Sequence, residues 1–145
     1  MPFTWQHRFN ERIHTKTEAY LLWERNSSVG GTPSIGPIQF NSGGGLGAYI
    51  PGLSLDYSVL NYTMFMLSKR DFIVFRNEWA KDETGFRYGF AGNYTGNAIG
   101  WTHYITPLLQ IRPEIGYYRN WNNPAFDNGA RKDLWLAGVD MTIRF

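Results

Sequence analysis

The sequence has no cysteine and no long apolar run, and each absence excludes a class of protein. Without cysteine, the chain has neither a disulfide framework nor a thiolate metal site. None of its apolar runs approaches the ~18–20 residues that a membrane-spanning helix needs. Charged residues make up only 18% of the chain, against ~25% in a typical soluble domain. The net charge of +2 is scattered along the sequence, so nucleic acid is not an expected partner.

A secretory signal is also missing, because residues 1–7 lack a basic segment followed by an apolar one. Mean hydropathy is negative, at −0.38. A β-strand that crosses a membrane needs only ~10 residues, with every second one apolar. The negative average therefore does not argue against a membrane barrel.

Aromatic residues are abundant, at 17%, and several of them belong to a clear alternation at the C-terminus. Every odd position of this stretch is apolar: Trp135, Ala137, Val139, Met141, Ile143 and Phe145. Such a period of two is typical of a strand with one apolar face. An amphipathic final strand that ends on phenylalanine is typical of outer-membrane β-barrels. We therefore interpret Val139, Met141, Ile143 and Phe145 as an assembly signal for the barrel-assembly machinery.

Alternation and turn-forming residues predict seven strands in all. They cover approximately residues 3–9, 13–25, 55–68, 72–81, 86–104, 109–121 and 133–145. Short turns at 10–12, 69–71 and 105–108 alternate with mostly longer connections at 26–54, 82–85 and 122–132. Short periplasmic turns and longer external loops are typical of outer-membrane barrels. The sequence thus predicts an all-β fold, a transmembrane antiparallel up-and-down β-barrel. Residues 1–145 form one barrel segment with no second domain, and 26–54 is a glycine-rich external loop.

The strand count predicts that part of the barrel is missing. A bacterial outer-membrane barrel has an even number of strands. The first strand here also begins within an alternation of apolar and polar residues, with no turn before it. Together with the absent signal, this predicts the C-terminal part of a larger barrel. The expected partners are outer-membrane lipids and either the missing N-terminal strands or identical copies of this chain.

Charged residues at alternate positions are predicted to line the inside of the barrel. Arg76 and Glu78 lie two residues apart and therefore share one face of their strand. Two interpretations stay open: a field that sets ion preference in a pore, or an interior salt-bridge network that braces the wall. The full set is Lys16, Glu18, Arg76, Glu78, Arg112, Glu114, Asp140 and Arg144.

Other alternations predict which side chains face outward. Four tryptophans fall near the external ends of their strands: Trp23, Trp79, Trp121 and Trp135. They match an aromatic girdle at the lipid headgroups, and the alternative is the core of a soluble barrel. The apolar residues predicted to face lipid in strand 55–68 are Leu60, Tyr62, Met64 and Met66. In strand 86–104 the glycines at 89, 92, 96 and 100 predict bulges or bends.

Five segments carry a family resemblance. They are Thr17-Glu18-Ala19-Tyr20, Arg76-Asn77-Glu78-Trp79, Asp82-Glu83-Thr84-Gly85, Arg112-Pro113-Glu114-Ile115-Gly116-Tyr117-Tyr118, and the closing strand to Phe145. With them the chain resembles the C-terminal half of the OmpL-like β-barrel porins, the second β-barrel porin family. The resemblance covers essentially the whole chain and only part of the family's length. It implies an outer-membrane location and a diffusion channel, and it implies no particular solute.

The expected function is therefore a porin-like channel of the Gram-negative outer membrane, which passes small hydrophilic solutes or ions by passive diffusion. One alternative is a small closed barrel of eight strands that acts as a membrane anchor or adhesion module. A less favoured one is a soluble ligand-binding barrel of the lipocalin type. Ser58 and Ser68 have no obvious histidine neighbour, and the three histidines lack ligand spacing. We therefore expect no enzyme activity, no cofactor and no metal site.

Overall fold

The computed structural model describes residues 2–30 and 48–145, and these form one antiparallel sheet of seven strands. The strands are β1 (Pro2–Arg8), β2 (Ile13–Ser28), β3 (Tyr49–Met66), β4 (Asp71–Asp82), β5 (Gly92–Thr106), β6 (Leu109–Asn120) and β7 (Asp133–Ile143). They pair strictly in chain order, as an up-and-down arrangement requires. The predicted all-β class is thus confirmed. Within the described residues the sheet is not closed into a barrel, because β1 pairs only with β2 and β7 only with β6.

No helix in the described ranges has the length and apolar character needed to cross a membrane.

The connections differ in length at the two ends of the sheet. We name the turn end after the short turns at residues 9–12, 67–70 and 107–108, and the loop end after the connections at 83–91 and 121–132. At the turn end the side chain of Asn10 accepts hydrogen bonds from the backbone N–H groups of Arg12 (2.8 Å) and Ile13 (2.9 Å). Such local bonds explain why a polar residue starts a tight turn. The predicted short turns therefore lie at the same end of the sheet.

Two predicted boundaries are wrong. The loop 26–54 is shorter than expected, because Ser27 pairs with Ile50 and Ser28 with Tyr49 beyond an irregularity in the ladder. Most of the glycine-rich segment lies outside the described residues. The fifth strand begins at Gly92 rather than at position 86. Residues 83–91 instead form a compact connection that folds back over the sheet.

The sheet has two chemically different faces, fixed by direct cross-strand pairing. We call one the charged face, after its seven predicted charges: Lys16, Glu18, Arg76, Glu78, Arg112, Glu114 and Asp140. The other, which we call the apolar face, carries Trp79, Ile99, Ile115, Val139 and Met141, all of them exposed. Because side chains alternate along each strand, the two sets stay apart across the whole sheet.

Strand β3 presents the opposite face from the one predicted. Leu60 opposes Glu78, Tyr62 opposes Arg76 and Met64 opposes Val74, and directly opposed residues share a face. Leu60, Tyr62, Met64 and Met66 therefore lie on the charged face. On the apolar face β3 carries Tyr57, Val59 and Phe65 instead. The prediction was wrong because both alternations of this strand contain large apolar residues.

The glycines of β5 make room for side chains rather than marking bulges. The ladder is regular from Gly92 to Gly100. A Cβ atom on Gly96 would lie 3.0 Å from the ring of Tyr118, and one on Gly116 would also lie 3.0 Å from that ring. The Tyr118 ring therefore lies flat over two glycines of neighbouring strands. In this way it fills the space that their missing side chains leave.

A row of polar side chains crosses the middle of the apolar face. Asn61, Asn77 and Asn97 oppose one another on β3, β4 and β5. The amide nitrogen of Asn61 donates to the hydroxyls of Thr15 and Thr17, both at 2.8 Å. The apolar face is thus interrupted at the middle of these strands.

Candidate functional site

Seven of the eight predicted interior charges lie together on the charged face. Arg144 is the exception, because β7 ends at Ile143 and only the backbone N–H of Arg144 continues the pairing, donating to Leu108 O at 2.8 Å. Phe145 likewise lies beyond the strand and is fully exposed. The other three residues of the predicted assembly signal, Val139, Met141 and Ile143, lie on the apolar face of β7.

Most of the charges on this face are paired. Nε of Arg112 donates to Oδ2 of Asp140 at 2.9 Å, and Nζ of Lys16 lies 2.5 Å from Oε1 of Glu18. A third pair joins Nη2 of Arg76 to Oε1 of Glu114 at 3.7 Å. These pairs are half-exposed, so each contributes only about 0–1 kcal/mol to stability. The arrangement fits both interpretations of the charges, a field across an interior and a brace for the wall.

Glu78 differs from the other charges of the face. Arg76, on the same strand, donates a hydrogen bond to the Tyr118 hydroxyl and is thus turned toward β6. Within residues 2–30 and 48–145, Glu78 makes no ion pair and no hydrogen bond. Among the described residues its carboxylate is therefore without a counter-charge.

The four predicted girdle tryptophans are exposed and lie on the apolar side of the sheet. Trp23, Trp79 and Trp135 belong to strands, and the ring centroid of Trp135 lies 4.9 Å from that of Tyr117. Trp121 follows β6 directly, and its indole N–H donates to the Thr95 hydroxyl at 3.0 Å. All four rings thus point away from the charged face, toward whatever medium surrounds the sheet.

The connection 83–91 folds over the charged face at the loop end. Its anchor is Asp82, which is completely buried and accepts four backbone hydrogen bonds. Oδ1 accepts from Thr84 (3.2 Å) and Gly85 (2.7 Å), while Oδ2 accepts from Arg87 (3.0 Å) and Tyr88 (2.9 Å). One carboxylate therefore organises the entire first half of this connection.

Arg87 carries the connection down onto the strands. Its Nη1 atom lies 2.9 Å from Oδ1 of the fully buried Asp56 on β3, and its guanidinium stacks 4.5 Å from the Tyr20 ring centroid. The neighbouring Tyr88 hydroxyl lies 3.3 Å from that of Tyr20. Burial raises the pKa of Tyr88 above its ordinary value, so the phenol stays neutral. Contacts among Arg87, Tyr88 and Tyr20 thus hold the connection 83–91 against the charged face.

Sequence reasoning missed Asp56, Asp82, Arg87 and Tyr88 as site residues. A signal was present for Asp82, because an aspartate two to three residues before a glycine commonly accepts backbone hydrogen bonds in a turn. Gly85 has φ of +80°, a conformation that favours glycine. No sequence pattern, however, links Arg87 to Asp56, which lies 31 residues earlier.

We expect Arg87→Met to destabilise the loop end because it leaves the buried Asp56 carboxylate without a cation. The expected cost in the free energy of unfolding is about 1–3 kcal/mol, reduced from a fully buried pair because Arg87 is partly exposed. Urea unfolding followed by tryptophan fluorescence measures it. Adding Asp56→Asn to Arg87→Met removes the stranded charge and is expected to recover much of the loss. A double variant that is less stable than Arg87→Met would contradict this account.

The described residues contain no group of three or more histidine, aspartate or glutamate side chains placed to hold a metal ion. No model of a known protein family matches the chain, nor does any curated protein or solved structure. The family resemblance noted in the sequence therefore stays a prediction.

Proposed function

We propose that this chain forms part of the wall of a porin-like channel in the outer membrane of a Gram-negative bacterium. Small hydrophilic solutes or ions would pass along the charged face by passive diffusion. The apolar face would contact lipid, and the barrel-assembly machinery would bind β7. The resemblance to the OmpL-like β-barrel porins supports the same proposal.

The observation that carries the proposal is where the apolar side chains lie. In the described residues only Ala80, Phe86, Tyr94 and Ala98 are buried hydrophobic residues, whereas Val139 and Met141 are 73% and 62% exposed. The two connections described at the loop end, 83–91 and 121–132, fold toward the charged face. A soluble barrel of the lipocalin type would need the reverse, with the apolar face inside. A monomeric soluble protein rarely exposes an apolar surface of this extent.

Strand lengths and connection lengths support a membrane crossing. Strands β2 to β7 have 11 to 18 residues, and a tilted strand needs ~9–11 to cross the hydrocarbon layer. The short turns all lie at one end, as periplasmic turns do. The loop end would then be the external side.

Three of the four tryptophans fit one level in a tilted barrel, whereas Trp121 lies two residues beyond the cross-strand row of Trp79, toward the loop end, and departs from that level. Trp23 lies four residues beyond the cross-strand row of Trp79, and Trp135 lies two residues short of it, a shift of six residues. β2 and β7 are five strand steps apart, about 24 Å at ~4.8 Å per step. At a tilt of ~40°, a level belt shifts by about 20 Å along the strands, or about six residues. The shift of six residues between Trp23 and Trp135 has the size that a level belt requires.

Strand direction limits how such a wall can close. β1 and β7 run in the same direction because an even number of antiparallel steps separates them. Closure by antiparallel pairing therefore needs an odd number of further strands. Identical copies joined from β7 to β1 would pair in parallel, which bacterial outer-membrane barrels do not do. Additional strands are thus the better candidate than copies for completing the wall.

Conductance tests the proposal directly. The chain, together with the further strands that complete its wall, would be refolded in detergent and analysed by gel migration with and without boiling, since closed barrels resist SDS until heated. It would then be added to a planar lipid bilayer. Discrete, ohmic current steps are expected. Vesicle insertion without current would favour the closed anchor or adhesion barrel, and a stable water-soluble monomer would overturn the membrane assignment.

We expect Arg76→Gln to make the current more selective for cations. The change leaves Glu114 without its nearest cation and so adds unpaired negative charge to the charged face. Reversal potentials in a KCl gradient measure the K⁺ to Cl⁻ permeability ratio, which should rise several-fold. Lys81→Gln is the matched control, because Lys81 lies on the apolar face beside Glu83. Equal shifts in both variants would contradict a lumen on the charged face.

A further inference from the structure

A cavity of about 520 Å³ lies over the charged face at the loop end. Strands β4 to β7 form its floor, and the connections 83–91 and 121–132 form its walls. Phe126 closes one side, with its ring centroid 6.4 Å from that of Tyr94. Two left-handed residues, Asp127 and Asn128, turn the second connection toward this space. The cavity is therefore built by the fold of both connections together.

The cavity walls combine aromatic rings with negative charge. Its aromatic lining residues are Tyr88, Phe90, Tyr94, Tyr118 and Phe126. Among the described residues, those that line it with charge are Glu78 and Asp127, without a lysine or an arginine. An aromatic pocket with carboxylates favours a ligand that is both apolar and positively charged.

The nearby cations do not neutralise Glu78. Arg76 is engaged by Glu114 and by the Tyr118 hydroxyl. Arg87 is engaged by Asp56 and stacks between the rings of Tyr20 and Tyr88, at 4.5 and 5.1 Å. The stacked guanidinium lies beside the cavity on one of its lining rings. The tyrosines at this end of the sheet thus already accept one cation from the protein itself.

We propose that the cavity binds a small organic cation, such as a substituted ammonium group, with Glu78 as its counter-charge. The aromatic rings would contact the apolar groups on the cation, and Asp127 would lie at the entrance side. This inference deepens the proposed channel function and rests on it, since it names the class of solute that the interior retains. A carbohydrate is the other ligand that aromatic rings and carboxylates commonly bind, and the test separates the two.

Binding would be measured on the 145-residue chain refolded in detergent micelles, by isothermal titration calorimetry and aromatic fluorescence. The probes are choline, its neutral analogue 3,3-dimethylbutan-1-ol, and glucose. Choline is expected to saturate and to bind at least about tenfold more tightly than the alcohol, because only choline carries the charge. Equal binding of the two would overturn the proposal, and so would binding of glucose alone.

Glu78→Gln keeps the shape of the side chain and removes its charge. We expect it to weaken choline binding at least about tenfold without affecting the alcohol. Glu83→Gln is the matched control, because Glu83 is exposed, lies in the adjoining connection and does not line the cavity. Unchanged far-ultraviolet circular dichroism would establish that both variants fold. Equal choline affinity in Glu78→Gln and the parent protein would overturn the role of Glu78.

The two proposals fail separately. The binding measurement needs no bilayer, so choline binding without conductance would retain the cavity site and contradict the channel. Conductance without choline binding would retain the channel and overturn the cavity site. Choline binding together with conductance should also appear as a reduced K⁺ current in the parent protein and not in Glu78→Gln.

Discussion

Val139→Arg is expected to lower the free energy of unfolding in lipid vesicles by about 2–4 kcal/mol, the cost of arginine near the middle of the hydrocarbon layer. Val139 lies near the centre of β7 and is 73% exposed on the apolar face. If the apolar face met water instead of lipid, the same exposed position would tolerate arginine within about 0.5 kcal/mol. Urea unfolding in vesicles, followed by tryptophan fluorescence, separates the two expectations clearly.

Thr142→Arg is the matched control for this experiment. Thr142 belongs to the same strand, but it opposes Gln110 on the charged face. Arginine there would face the interior and should change stability little. A tolerated Val139→Arg combined with a costly Thr142→Arg would indicate that the apolar face meets water and that the charged face is the packed one. That outcome would contradict the channel.

Asp82→Ala is expected to cost about 2–4 kcal/mol and to release the connection 83–91 from the charged face. The change removes the acceptor of four backbone N–H groups at a fully buried position. Limited trypsin digestion gives a local readout, because the bond after Arg87 should become cleavable. In bilayers the same variant should pass a larger current.

Two variants separate the anchor from a general loss of charge. Asp82→Asn keeps one carbonyl oxygen as an acceptor, so its effect should be smaller than that of alanine. Glu83→Ala removes an exposed carboxylate and should be nearly neutral. A connection that stays protected from trypsin in Asp82→Ala would contradict the role of Asp82.

The strand order and most strand positions could be predicted because alternation is a local property. In β1, β2, β4, β6 and β7 the polar and apolar side chains alternate clearly. Residues such as Arg76 and Glu78 therefore assign one set of positions to the charged face and the other set to the apolar face. β3 could not be assigned in this way. Around residues 59–66 both odd and even positions carry large apolar side chains. Only the pairing with β4 therefore decides which face each set takes.

The start of β5 and the loop-end cluster depended on contacts that no local pattern contains. The residues before Gly92 include Phe86 and Tyr88, which suit a strand by composition. Asp82 binds the backbone N–H groups of Arg87 and Tyr88, and it thereby diverts this segment from the ladder. The pairing of Arg87 with Asp56 follows from that diversion. The site therefore required the three-dimensional fold, whereas the charged face did not.

The ring of Tyr118 over Gly96 and Gly116 also has a consequence for folding fidelity. A slip of one residue between β5 and β6 would bring charges onto the apolar face, so alternation alone opposes it. A slip of two residues would preserve both faces and escape that penalty. It would, however, move the Tyr118 ring from Gly96 onto Ala98 or Tyr94, where a side chain already occupies the space. Gly96 thus disfavours a misaligned pairing that would keep the polar and apolar faces intact.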